Sequence, residues 1–69
     1  MKNKIKVYRA MRNMTQEELA GQLRVTRRTI NSIEGDKYNP SIDLAFRMAK
    51  LFGVPVEELF LLDEDSGQG

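Results

Sequence analysis

Apolar residues recur along this chain at intervals of three and four, the period of helices that bury one face. Five such stretches are separated by short polar breaks. The first runs from about Ile5 to Arg12, burying Ile5 and Tyr8, and stops at Asn13. Asparagine tolerates the left-handed conformation in which many helices end. Thr15 followed by Glu18 predicts a capping box, with Leu19, Ala20 and Leu23 then sharing one face. Thr26 restarts the chain as a second cap, and Ile30 and Ile33 continue the apolar stripe. After a polar loop with Lys37, Tyr38, Asn39 and Pro40, Ser41 caps a fourth helix carrying Leu44, Ala45, Met48, Ala49 and Phe52, which stops at Gly53. Pro55 opens a fifth with Val56, Leu59 and Phe60. No segment alternates with period two. The expectation is all-α: a compact five-helix bundle over 1–62, followed by an acidic tail, DEDSGQG, predicted to be disordered.

The second and third helices carry the most information. Only Arg24 and Val25 lie between the end of one and the cap of the next. So short a link forces a steep crossing, which the small side chains of Ala20 and Gly21 ease. At 100° per residue, Ile30 and Ile33 point inward, Arg28 and Ser32 lie nearly opposite, and Arg27 and Asn31 occupy a flank. A helix buried on one side that offers bidentate hydrogen-bonding side chains on the other is what reading base edges in a major groove requires. The plainer alternative is an amphipathic helix with a solvated polar face.

Composition narrows the choice. With 69 residues there is room for one domain and a modest core. The chain has no cysteine and no histidine, which removes thiolate nucleophiles, disulfides and the commonest general base and metal ligand. Neither enzymatic activity, nor a metal, nor a cofactor is expected. No stretch has the length and apolarity of a membrane span, and no signal peptide is evident. Net charge is only +1, but it is unevenly spread. Up to Arg28 there are eight basic residues against two acidic, and from Thr29 onward three basic against eight acidic. Such asymmetry suits one face turned to a polyanion and another turned away.

The succession TQEELA, VTRRTINSIE, GDKYNPSIDLA, AKLFGV and EELF resembles the phage-repressor and Cro-type helix-turn-helix family, the Xre family, over roughly Ile5 to Phe60. The resemblance implies a lambda-repressor-like DNA-binding domain. Its second helix would cross the DNA backbone and its third would enter the major groove. Carried over by position, Arg27, Arg28 and Ser32 are the base-reading residues, with Asn31 beside them. Gln16 stands where the family contacts a phosphate, and Lys37 and Tyr38 lie in the loop that touches the backbone; Thr26, Thr29 and Arg24 join them as backbone contacts. Arg9 and Glu34 fall where the family holds an ion pair between the first and third helices.

Three departures stand out. Arg24 occupies a turn position that usually holds a left-handed glycine. Val54-Pro55 supplies no side-chain cap to the fifth helix. Val7 and Met11 replace charged residues and, with Ala10, form an apolar patch on the first helix. Leu61 and Leu62 extend the apolar run of the fifth, so Val7, Met11, Leu61 and Leu62 form a candidate dimer interface. The reading is sequence-specific binding of double-stranded DNA for transcriptional regulation, as a cytoplasmic homodimeric repressor on a two-half-site operator. From another class, the alternative is a protein-interaction module, such as the antitoxin partner of a toxin.

Overall fold

The computed structural model of the protein describes residues 2–61. Five helices follow one another: α1 Ile5–Met11, α2 Gln16–Leu23, α3 Arg27–Glu34, α4 Ile42–Phe52 and α5 Val56–Leu59. Their starts are chemically marked. The Thr15 hydroxyl accepts from the Glu18 amide at 3.0 Å, and the Glu18 carboxylate accepts from the Thr15 amide at 2.8 Å, closing the capping box of α2. Thr26 accepts from the Thr29 amide at the head of α3, and Ser41 from the Leu44 amide at the head of α4. Pro55 sits at the N-cap of α5 with no side-chain cap.

The helix ends share one device. Asn13, Arg24 and Gly53 take left-handed backbone conformations, with φ of 53°, 60° and 71°. In each case the next amide reaches back five residues: Met14 to the Arg9 carbonyl, Val25 to Ala20 and Val54 to Ala49. Met14, Val25 and Val54 then pack against the core, the apolar contact that accompanies such stops. Every helix contributes to that core, with Ile5, Leu19, Ile30, Met48 and Leu59 fully buried.

Two findings depart from the sequence-based expectation. A two-stranded antiparallel sheet joins the chain ends: β1 Lys2–Asn3 pairs with β2 Phe60–Leu61, Lys2 opposite Leu61 and Asn3 opposite Phe60. Strands of two residues are too short to show alternation, so periodicity could not reveal them. As a result α5 stops at Leu59, and Phe60 and Leu61 leave it as a strand instead of lengthening it. Phe60 is buried and Leu61 half-buried, so Leu61 is not an exposed extension of helical apolar surface. Leu62 and the acidic tail lie outside the described residues.

One polar cluster ties three helices together. Arg9 donates from Nε and Nη2 to the two oxygens of Glu34, at 2.8 and 3.2 Å, and from Nη1 to the Met14 carbonyl at 2.9 Å. Gln16 donates from Nε2 to Glu34 Oε1 at 3.0 Å. The Glu34 side chain is only 7% exposed, so its charge is matched inside the protein.

Two stability predictions follow from these contacts. Arg9→Met leaves a nearly buried carboxylate with Gln16 alone and should cost about 3 kcal/mol in urea unfolding. Arg9→Met combined with Glu34→Leu should recover most of that loss; a double variant no better than the single one would refute the account. Arg24→Gly keeps the left-handed turn at lower steric cost and should raise stability by up to about 1 kcal/mol. A fall in stability would show that the arginine side chain holds the turn.

Candidate nucleic-acid interface

The helix that bears the candidate reading residues is fixed before its outer face is considered. Ile30 and Ile33 bury one side of α3 almost completely. At its N-terminus the Thr26 and Thr29 hydroxyls lie 3.0 Å apart, and Thr26 caps the first turn. At its last residue, Glu34 is held by Arg9 and Gln16. What remains outward is Arg27, Arg28 and Asn31, all exposed, with Ser32 half-buried beside them. Arg27, Arg28 and Asn31 line one shallow open depression of about 200 Å³. Three of the four side chains read from helical geometry as outward thus share one surface.

The flanking residues arrive by the turns. Arg24 is exposed on the left-handed residue between α2 and α3. After α3, Asp36 repeats the stop device with φ of 62°, and the Lys37 amide reaches back to the Ser32 carbonyl at 3.0 Å. Here the residue delivered is a lysine, and it stays exposed at the end of α3, followed by Tyr38 at 54% exposure. Gln16 is half-buried at the start of α2. An amide nitrogen carries two N–H bonds, so one remains after Glu34 is served. Thr29 is half-buried, its hydroxyl next to Thr26.

Asn3 is a residue that sequence reasoning missed. Its Nδ2 donates to the Ile33 carbonyl at 2.8 Å and to Asp36 Oδ1 at 3.2 Å, while its Oδ1 accepts from the Ile5 amide at 3.2 Å. It therefore pins the end of α3 and the strained Asp36 turn that aims Lys37. Its local role at the head of α1 is a pattern a sequence can carry; its partners 30 and 33 residues away are not.

The structure also sorts the basic residues. Arg9 is engaged by Glu34, Arg12 donates to the Phe52 carbonyl at 3.1 Å with its guanidinium over the Phe52 ring, and Arg47 donates to the Leu23 carbonyl at 2.9 Å. Two of the cations counted in the basic half, Arg9 and Arg12, thus serve the fold. Val7 and Met11 are 55% and 70% exposed on α1. A second apolar pair, Ile42 and Phe46 on α4, is 75% and 58% exposed, and the sequence reading did not single it out. Among the described residues, no cluster of acidic side chains could hold a metal ion, and no helix is long and apolar enough to cross a membrane.

Comparison with known proteins agrees with this geometry. A family model described as helix-turn-helix matches residues 5–59. An uncharacterized HTH-type transcriptional regulator of Methanocaldococcus jannaschii is 55% identical over 65 residues, covering 94% of this chain and 98% of that protein. The cryptic phage CTXphi transcriptional repressor RstR of Vibrio cholerae is 33% identical over 57 residues, covering 83% of this chain and 51% of the repressor. Among solved structures, a hypothetical transcription factor, NHTF, from Neisseria superposes with a TM-score of 0.74 at 25% identity, covering 93% of this chain and 74% of that one. The chain belongs to the Xre-type helix-turn-helix family of DNA-binding transcriptional regulators.

Proposed function

We propose that this protein represses transcription by binding, as a homodimer, a DNA operator with two half-sites. The observation that carries this reading is the division of α3 into a fully buried isoleucine face and an exposed face of Arg27, Arg28 and Asn31, with Ser32 at its margin. Such a helix can enter a major groove without disturbing the core, and its side chains match base-edge donors and acceptors. Arginine pairs bidentately with guanine O6 and N7, and asparagine with adenine N6 and N7. Adjacent arginines therefore favour at least one guanine in each half-site.

Backbone contacts set the register. Gln16 at the head of α2, Arg24 and Thr26 before α3, Thr29 in its first turn, and Lys37 and Tyr38 after it bracket the reading face. Helix amides at the start of α2 add a partial positive charge toward a phosphate. One domain of this size makes few contacts, and two copies on half-sites about one helical turn apart supply the affinity a single one lacks. The repressor sign is supported by the similarity to the transcriptional repressor RstR and by the simplest effect of a bound dimer, which is to occlude the DNA it covers.

Selection from random duplex DNA tests the whole reading. The expected product is a symmetric site with guanine in each half; recovery of no preferred sequence would overturn it.

Within that site, Arg28→Ala should cost about 1–3 kcal/mol of specific binding and relax preference at one base position. Equal losses on all sequences would make Arg28 a backbone contact instead. Lys37→Ala should weaken binding on every sequence and lower the slope of log affinity against log salt by about one per protomer. Titrations at several salt concentrations distinguish the two, and an unchanged slope removes Lys37 from the interface.

A further inference from the structure

Among the described residues, two apolar patches face solvent, and their charged surroundings separate them. On α1, Val7 and Met11 sit among Lys4, Lys6 and Arg12, and α1 contains no acidic residue. Two copies meeting there would bring like charges together. On α4, Ile42, Phe46 and Lys50 succeed one another at intervals of four and so form one exposed stripe. The opposite side of the helix holds Leu44, Met48 and Phe52 in the core. Asp43, its side chain 83% exposed, borders the stripe at its N-terminal end, and Lys50 closes it at the C-terminal end. Arg47 is already committed to Asp43 and to the Leu23 carbonyl, whereas among the described residues no hydrogen bond or ion pair engages the Lys50 side chain.

That order of groups is self-complementary. A two-fold axis across Phe46 runs α4 antiparallel to the same helix of a second copy, as an isologous contact allows. Phe46 then meets the partner's Phe46, Ile42 covers the aliphatic stem of the partner's Lys50, and Asp43 faces the partner's Lys50 on both sides. The positive end of each helix dipole also lies beside the negative end of the other. A parallel arrangement would instead oppose Asp43 to the partner's Asp43. From this we infer that the Ile42–Phe46 stripe of α4, bordered by Asp43 and Lys50, is the surface through which a second copy of this chain docks. The inference takes the homodimer of the proposed function as its starting point and assigns its interface. It moves that interface away from the Val7–Met11 patch and draws on no residue of α3.

Sedimentation of the full chain at tens of micromolar, without DNA, provides the test. The parent should be a dimer. Ile42→Glu with Phe46→Glu should yield a monomer, association falling at least tenfold, that still unfolds cooperatively because both side chains are exposed, its melt lowered only by the stabilisation that association gives the parent. Met11→Glu should leave the dimer intact. Asp43→Lys should weaken association, and adding Lys50→Asp should restore it. That restoration is diagnostic, because both changes oppose the dipole of α4 and so can help only across the interface. A monomeric parent, a double-glutamate variant that stays dimeric, dissociation by Met11→Glu, or no rescue by the charge exchange would each overturn the assignment. The monomeric variant should keep the parent's base preference on a single half-site. If the parent dimerises through α4 but shows no sequence preference, the operator reading fails and the interface stands.

Discussion

The Glu34 carboxylate is the point on which the arrangement of α1, α2 and α3 depends. It receives two hydrogen bonds from Arg9 on α1 and one from Gln16 on α2, and it is itself the last residue of α3. A nearly buried carboxylate is costly unless its acceptor sites are filled, so the three helices are held in the one relation that fills them. The contacts are charge-assisted and directional, which hydrophobic burial is not. Burial of Ile30 and Ile33 supplies attraction between α3 and the core, while the Glu34 cluster sets the angle and register at which α3 is presented. On the proposed reading of α3, an unpaired acidic residue at its end would repel phosphate, and pairing with Arg9 offsets that charge.

The same economy governs the turns. Four helices end on a left-handed residue, and the side chain that follows decides what each turn is for. Met14, Val25 and Val54 return to the core, so three turns lock helix ends to the interior. Lys37 does not return, and the fourth turn presents an exposed cation at the end of α3. Asn3 holds that turn through Asp36 while its own strand is paired to Phe60. The N-terminal strand, the C-terminal strand and the presentation of Lys37 are thereby one mechanical unit.

Much of this was legible in the sequence because its signals are local. Capping residues act within four positions, so Thr15, Thr26 and Ser41 marked the heads of α2, α3 and α4 unaided. The inward and outward faces of α3 follow from helical pitch alone. What could not be read depends on distant partners. The pairing of Lys2–Asn3 with Phe60–Leu61 has no periodic trace, and the expected lengthening of α5 through Leu61 gave way to it. Arg12 and Arg47 looked like surface charge until Phe52 and Leu23 offered them helix-end carbonyls. Exposure of Ile42 and Phe46 was hidden for a related reason: α4 is apolar on more than one side, and only packing decides which side is covered.

Those internal uses of arginine bear on how the protein holds DNA. With Arg9, Arg12 and Arg47 committed to the fold, the exposed cations between the end of α2 and the start of α4 are Arg24, Arg27, Arg28 and Lys37. Arg27 and Arg28 face outward from the helix that would read bases, which leaves Arg24 and Lys37 as the cations of that stretch free to release counterions from the backbone. Non-specific affinity rises with the number of phosphates neutralised, so a single copy should hold random DNA weakly. Doubling the protein doubles both kinds of contact and demands that two half-sites coincide. In the proposed dimer, a chain with a net charge of only +1 would therefore gain discrimination from pairing copies more than from adding charge. On the proposed reading, a two-fold contact built on α4 rather than on α3 and the limited cation count around α3 belong to the same design.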